Sequence, residues 1–270
     1  YEQADNAQKY FTACLLSFYQ QTWLWQNHHG KLNDFNIEKP LWVFVGNTVS
    51  GEDSDILEVV QFLSFFLNDE QTIKTWLKEL VDDKAQLLDV KGNNIFQGRF
   101  NPLMGFSDNI DGLYTDILHK LFNANARQRL KLVNIKNSKG ELALRVGDAE
   151  PFGLISIGDD SGFYKTAEEL ESFDSEADDF GGALFGTLNN KDSKLNVLIG
   201  SRKFTEGWSS WRVSTMGLLN MGQGEGSQII QLFGRGVRLK GKDFSLKRTE
   251  PNQRPKGLHL DKLETLNIFG

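Results

Sequence analysis

Gln231, Gly234, Arg235 and Arg238 stand at spacings i, i+3, i+4 and i+7 in the run Gln-Ile-Ile-Gln-Leu-Phe-Gly-Arg-Gly-Val-Arg, residues 228–238. On a helix of about 3.6 residues per turn these four positions share one face. Ile229, Ile230, Phe233 and Val237 occupy the opposite arc, as in a helix packed on a core by one side. The polar face carries two guanidiniums about one turn apart, and no acidic residue lies between them to pair internally. Forked, permanently charged donors in that arrangement suit an anionic partner such as a phosphate. A solvated basic face would show the same residues, so their surroundings decide between the two readings.

A second polar segment lies upstream, from Gly200 to Arg212, directly after the apolar run Leu195–Ile199. It holds Ser201, Arg202, Lys203, Thr205, Gly207 and Ser209, with Trp208 and Trp211 among them. In an open parallel sheet, ligands bind just beyond the carboxyl ends of strands, so hydroxyls, cations and a glycine at this junction fit phosphate binding. Taken alone, the segment could equally be a polar surface loop.

The elements that must position these residues are legible as short apolar runs. Leu41–Gly46 follows Pro40 and is apolar throughout, as in a strand buried on both faces. Similar runs recur at Gly153–Ile157, Leu195–Ile199 and Val213–Leu219, separated by stretches that can hold helices. This alternation predicts an α/β fold. The segment between Gly46 and Gly153 is too long for a bare crossover and predicts helices at 56–67, 73–80 and 113–122. A hairpin is predicted where 130–136 and 141–146 flank Asn137-Ser138-Lys139-Gly140. An amphipathic helix is predicted over 5–26, ending before His28-His29-Gly30, and the acidic stretch 159–180 reads as solvated helix and loop.

Composition bounds the possibilities. A net charge of −6 excludes a wholesale basic coat, so any nucleic-acid site must be local. The single cysteine, Cys14, excludes an intramolecular disulfide and fits a reducing, cytoplasmic setting with Cys14 in the core. No apolar run of about 18 residues exists, so no membrane span or membrane partner is expected. His28 and His29 are adjacent and so do not share a helix face, His119 and His259 are remote in sequence, and no metal site is expected. Asp179-Phe180-Gly181 and the Gly222/Gly224/Gly226 series are isolated imitations of catalytic motifs without the partners those motifs require. The start at Tyr1 and the apolar end at Leu266–Gly270 suggest a fragment of a longer polypeptide.

Residues 195–240 taken together resemble motifs V and VI of superfamily 2 helicases. Motif VI reads Gln-x-x-Gly-Arg-x-x-Arg, matched by Gln231, Gly234, Arg235 and Arg238; motif V is matched by Gly207 and Val213 with the polar residues 201–206 ahead. Glu206-Gly207-Trp208 with Phe233-Gly234-Arg235-Gly236-Val237-Arg238-Leu239 is most similar to the motor subunits of type III restriction enzymes and related DEAD/DEAH-type helicases. Residues 40–45 then look like motif IV.

The resemblance implies a RecA-like parallel sheet flanked by helices, of the P-loop NTPase type, with an inserted α+β segment. It divides the chain into a helical lead-in at 1–36, a second RecA-like domain at 37–50 and 150–250, an insertion at 51–149, and the start of a following element at 251–270. ATP and magnesium would be held mainly by a first RecA-like domain absent from this chain. Arg235 and Arg238 would reach across to the γ-phosphate, with Arg238 as the arginine finger. Gln231, Gly234, Gly207 and Ser209 would line the nucleotide, and Ser201, Lys203 and Thr205 would contact the nucleic-acid backbone. DNA is the implied track, with RNA open, and nuclease or methyltransferase subunits are the implied companions. One departure stands out: Ser209 occupies a position where many relatives place an acid for the ribose.

A Walker A loop is missing. Gly236-Val-Arg-Leu-Lys-Gly-Lys242 comes near the pattern, but Asp243 follows where a magnesium-binding hydroxyl is needed. No Asp-Glu-x-Asp or Asp-Glu-x-His box exists either. The expectation is therefore half of an ATP-driven motor from a restriction or defence system, inactive alone. The competing expectation is a non-catalytic nucleic-acid-binding or interaction module with a RecA-like fold, and a self-contained nucleotidase ranks behind both.

Overall fold

The computed structural model describes residues 2–46, 54–179, 181–201, 208–219 and 240–270, with backbone alone for 2–5 and 201. The strands are β1 (Leu41–Gly46), β2 (Leu130–Ile135), β3 (Glu141–Val146), β4 (Gly153–Ser156), β5 (Asp174–Asp178), β6 (Val197–Ser201), β7 (Val213–Leu218) and β8 (Asn267–Phe269). They form one eight-stranded sheet in the order β5-β2-β3-β4-β6-β1-β7-β8. Every neighbouring pair is parallel except those made by β3, which runs against both β2 and β4. The helices are α1 (Glu2–Leu32), α2 (Asp55–Asn68), α3 (Glu70–Val81), α4 (Ile110–Phe122), α5 (Asp160–Glu168) and the short α6 (Leu260–Leu263). None among the described residues is long and apolar enough to cross a membrane.

The apolar runs are strands because both of their faces are buried. In β1, Trp42 and Phe44 join the large core formed with α1 to α4, while Leu41, Val43 and Val45 join a second core on the other face. The same period of two sorts Val197 and Ile199 from Leu198 in β6, and Ile155 from Leu154 in β4. Helices α2, α3 and α4 occupy the stretches where helical spacing predicts them, and each is capped by a side chain: Ser54, Asp69 and Asn109. Cys14 is buried in the larger core.

Three features differ from the sequence expectation. Helix α1 does not stop before His28-His29-Gly30 but continues to Leu32. Leu24 and Leu32 pack with Phe35, Ile37, Leu258 and Leu260, and this burial outweighs the cost of about 1 kcal/mol for an interior glycine. Second, the acidic stretch contains a strand: β5 pairs in parallel with β2, Lys131 opposite Asp174 and Val133 opposite Glu176. Its carboxylates meet cations on neighbouring residues, Asp174 with Arg129 at 2.8 Å and Glu176 with Lys131 at 3.5 Å and with Arg145. Third, the hairpin strands β2 and β3 extend the main sheet, joined to it through β4.

The hairpin depends on Gly140, which has φ +87° and whose carbonyl accepts from Ile157 N at 2.9 Å. A Cβ there would stand 2.6 Å from the Ile157 carbonyl oxygen, so only glycine allows the turn to sit this close to the end of β4. At the other edge the last residues are held by Gln21 of α1, whose amide donates to Lys262 O and Thr265 O at 3.0 and 2.7 Å. Its carbonyl accepts from Thr215 Oγ1 of β7 at 3.1 Å, which ties β8 to the sheet.

Candidate functional site

β6, β1 and β7 lie side by side and parallel, so their carboxyl ends meet at one edge of the sheet. Gly46 is in register with Ser201, and Val45 with Leu218. Residues 202–207 continue from Ser201, and residues 220–239 follow the described end of the β7 segment at Leu219. The two chemistry-bearing stretches are thus attached to strands that flank β1, at the edge where parallel sheets bind ligands. Lys203, Thr205, Gly207, Gln231, Gly234, Arg235 and Arg238 themselves lie outside the described residues.

Helix α2 begins under the same edge: a Cβ on Gly46 would be 2.9 Å from Cβ of Asp55. Asp55 is buried in its first turn, and Ser54 caps it by accepting from Leu57 N at 3.4 Å. One turn on, burial and the neighbouring Asp55 raise the Glu58 carboxyl above the ordinary carboxylate range. Glu58 is the acidic group of a cavity of about 230 Å³ otherwise lined by residues such as Tyr10, Phe44, Leu218 and Phe269. Sequence reasoning missed this acidic pair, since neither residue belongs to a motif and both read as ordinary first-turn acids of a helix.

Ser209 is placed elsewhere. It is exposed, its carbonyl accepts from Asn189 Nδ2 at 3.1 Å, and it leads into the amino end of β7. Ser201 ends β6 at the carboxyl edge, so the structure does not bring these two serines together. The reason is topological, because the chain must cross the sheet between parallel neighbours of β1. Trp208 packs on Phe185, ring centroids 6.0 Å apart, whereas Trp211 is exposed.

At the amino edge the buried cation Arg212 holds the strands together. Its guanidinium donates to Lys39 O at 3.0 Å, Leu195 O at 2.6 Å, Pro40 O at 3.5 Å and Leu188 O. Burial lowers its pKa from 12.5 to about 10, and the Glu38 carboxylate opposes this shift. Beside it, Lys39 Nζ donates to Ser193 O at 2.9 Å. Burial first, then Arg212 and Lys194, pull the Lys39 ammonium from 10.5 down to about 7.

A pH dependence follows. Between pH 7 and 10.5 the unfolded chain holds a proton on Lys39 that the folded chain releases, so this residue makes stability rise with pH across that window. Below it both states are charged and the full cost of burial is felt. Lys39→Met is therefore expected to stabilise the protein by on the order of 2 kcal/mol at about pH 6, with the gain shrinking as pH approaches about 9. Urea melts at several pH values check this, and a difference that does not change with pH would contradict it.

Among the described residues no cluster of His, Cys, Asp or Glu could hold a metal ion. Comparison of the chain with protein-family models, with curated proteins and with solved structures found no match.

Proposed function

We propose that this chain is the second motor domain of an ATP-dependent DNA helicase or translocase of a restriction or defence system, with a RecA-like sheet. The observation that carries the reading is an ordered pair of sequence motifs that follow the two parallel strands flanking β1. Ser201 through Gly207 follow β6, Gln231-Gly234-Arg235-Arg238 follow β7, and β1 lies between these two strands. An eight-stranded, mostly parallel sheet flanked by helices is compatible with a RecA-like domain.

In this reading Arg235 and Arg238 supply the fixed positive charge that phosphoryl transfer needs on its equatorial oxygens, with Arg238 as the finger. Gln231 orients the nucleotide at the interdomain cleft. Ser201, Lys203 and Thr205 hold the track by its phosphates, which gives affinity without sequence preference. Magnesium and the phosphate-cradling loop belong to the first domain. Residues 236–243 do not fit the cradling role, because Lys242 and Asp243 sit in a 3-10 turn rather than at the start of an α-helix. A non-catalytic nucleic-acid-binding module of the same fold is the second reading, favoured by Ser209 in place of the ribose-binding acid.

Phosphate release tests the proposal. The 270-residue chain alone is expected to show no ATP turnover above buffer, and the polypeptide containing both motor domains is expected to turn over ATP with stimulation by DNA. Turnover by the chain alone would overturn the composite site. A two-domain polypeptide that binds DNA but never hydrolyses ATP would establish the second reading.

A further inference from the structure

The amino edge of the sheet carries a feature for which the proposed motor has no use. Trp211, just before β7, is 45 % exposed, and Phe244 and Leu246 are each 72 % exposed. Lys240 joins the two rings: its ammonium lies 5.9 Å from the centroid of Trp211 and 5.7 Å from that of Phe244. The loop carrying Phe244 is tightly held. Gly241 N donates to Ser245 O at 2.7 Å, and Asn36 Nδ2 donates to Gly241 O at 2.7 Å. Within it Asp243 and Phe244 have φ +55° and +60°. Both residues are held in the left-handed region that favours glycine, and an exposed ring recovers little of that cost by packing.

Charge and shape agree on what the rings could meet. Residues 240–256 hold Lys240, Lys242, Lys247, Arg248, Arg254 and Lys256 against Asp243 and Glu250, a local excess of four positive charges in a chain of net charge −6. Among the described residues no ion pair includes any of the six cations. Trp211, Leu246 and Arg248 also form the rim of a cleft of about 170 Å³ that reaches Gln21, Glu38 and Ser214. The Ser214 hydroxyl is buried there without a hydrogen-bond partner among the described residues.

We propose that this surface is a second nucleic-acid site that binds single strands by stacking bases on Trp211 and Phe244 while Lys240, Lys242 and Arg248 take the phosphates. Exposed ring faces select unpaired bases, because a duplex keeps its bases stacked on each other. An apolar protein partner would use the rings but would not explain a set of cations between and beside them that no carboxylate neutralises among the described residues. The site lies at the edge opposite Ser201 and requires neither ATP nor Arg235 and Arg238, so it stands or falls independently of the motor reading.

The test is fluorescence anisotropy of the 270-residue chain with labelled oligo-dT and oligo-rU, alongside a duplex and heparin. Phe244→Gly removes the ring at a position glycine accepts readily, so its thermal midpoint is expected to stay at or above that of the unmodified chain. Single-strand affinity is expected to fall about tenfold in Phe244→Gly and in Trp211→Ala, and to be retained in Phe244→Tyr. Trp211 fluorescence should be quenched on binding. Affinity unchanged in both ring variants, or lost equally for heparin and duplex, would overturn the proposal. Affinity that survives Phe244→Gly but falls in Lys203→Ala would place the strand at the carboxyl edge and overturn it as well. Self-association that disappears in the ring variants, with oligonucleotide affinity intact, would assign the surface to a protein contact instead.

Discussion

Arg238→Ala in the polypeptide containing both motor domains is expected to lower DNA-stimulated kcat for ATP hydrolysis by about 10³-fold, with a much smaller change in KM for ATP. The argument rests on where charge develops. In the proposed motor, ground-state ATP would be neutralised in part by magnesium and by the first domain, whereas the transferring phosphoryl group would spread charge over oxygens facing the second domain. A guanidinium aimed there acts mostly in the transition state, so its loss appears in kcat. Arg238→Lys keeps a charge but not the planar fork, and its rate should fall between those of the native and alanine enzymes. Arg235→Ala is expected to raise KM as well, because in the motif it stands four positions from Gln231 whereas Arg238 stands seven. Single-turnover phosphate release with a thermal melt of each variant separates chemistry from folding. Native kcat in Arg238→Ala would remove the finger assignment.

The parts of the fold legible in the sequence were those in which one physical requirement acts alone. β1 reads as a strand because both of its faces are buried, Trp42 and Phe44 on one side and Val43 and Val45 on the other. Pro40 before the run and its length of six residues separate it from a buried helix such as α1, where residues 12–22 are also buried in succession. β5 was not legible because Asp-Ser-Glu-Ala-Asp has no apolar face; it is a strand by pairing with β2 and by the cations Arg129, Lys131 and Arg145, which come from other segments. The run through His28-His29-Gly30 looked like a stop because local propensity weakens there, and the packing of Leu24 and Leu32 on Leu258 and Leu260 is a long-range fact. The candidate site divides in the same way. Motif spacing made Gln231, Gly234, Arg235 and Arg238 visible in one line of sequence. Glu58 meets Tyr10, Leu218 and Phe269 around one cavity, and Trp211 and Phe244 come to lie on either side of Lys240, only through the long-range fold.

Arg212 shows the same limit with the larger consequence for stability. In the sequence it is one more cation after Trp211, yet it is 3 % exposed and its guanidinium serves carbonyls at residues 39, 40, 188 and 195. Arg212→Met is expected to destabilise the chain by about 3–5 kcal/mol, because it takes from the carbonyls of Lys39, Pro40, Leu188 and Leu195 the guanidinium that donates to them and unties the starts of β1, β6 and β7. For a chain of this size that corresponds to a fall in Tm on the order of 10 °C. Arg212→Lys should recover little, since one ammonium cannot span carbonyls from three segments. Lys39 supplies a sharper check. Its ammonium opposes Arg212 at close range, so in the Lys39→Met background the arginine no longer carries that repulsion. The double-mutant cycle is therefore expected to show Arg212→Met costing more, by on the order of 1 kcal/mol, when Lys39 is already gone. Urea melts at about pH 7 measure all four corners. Additive effects would mean that the two cations do not sense each other, and the depressed Lys39 pKa would then have to come from burial and Lys194.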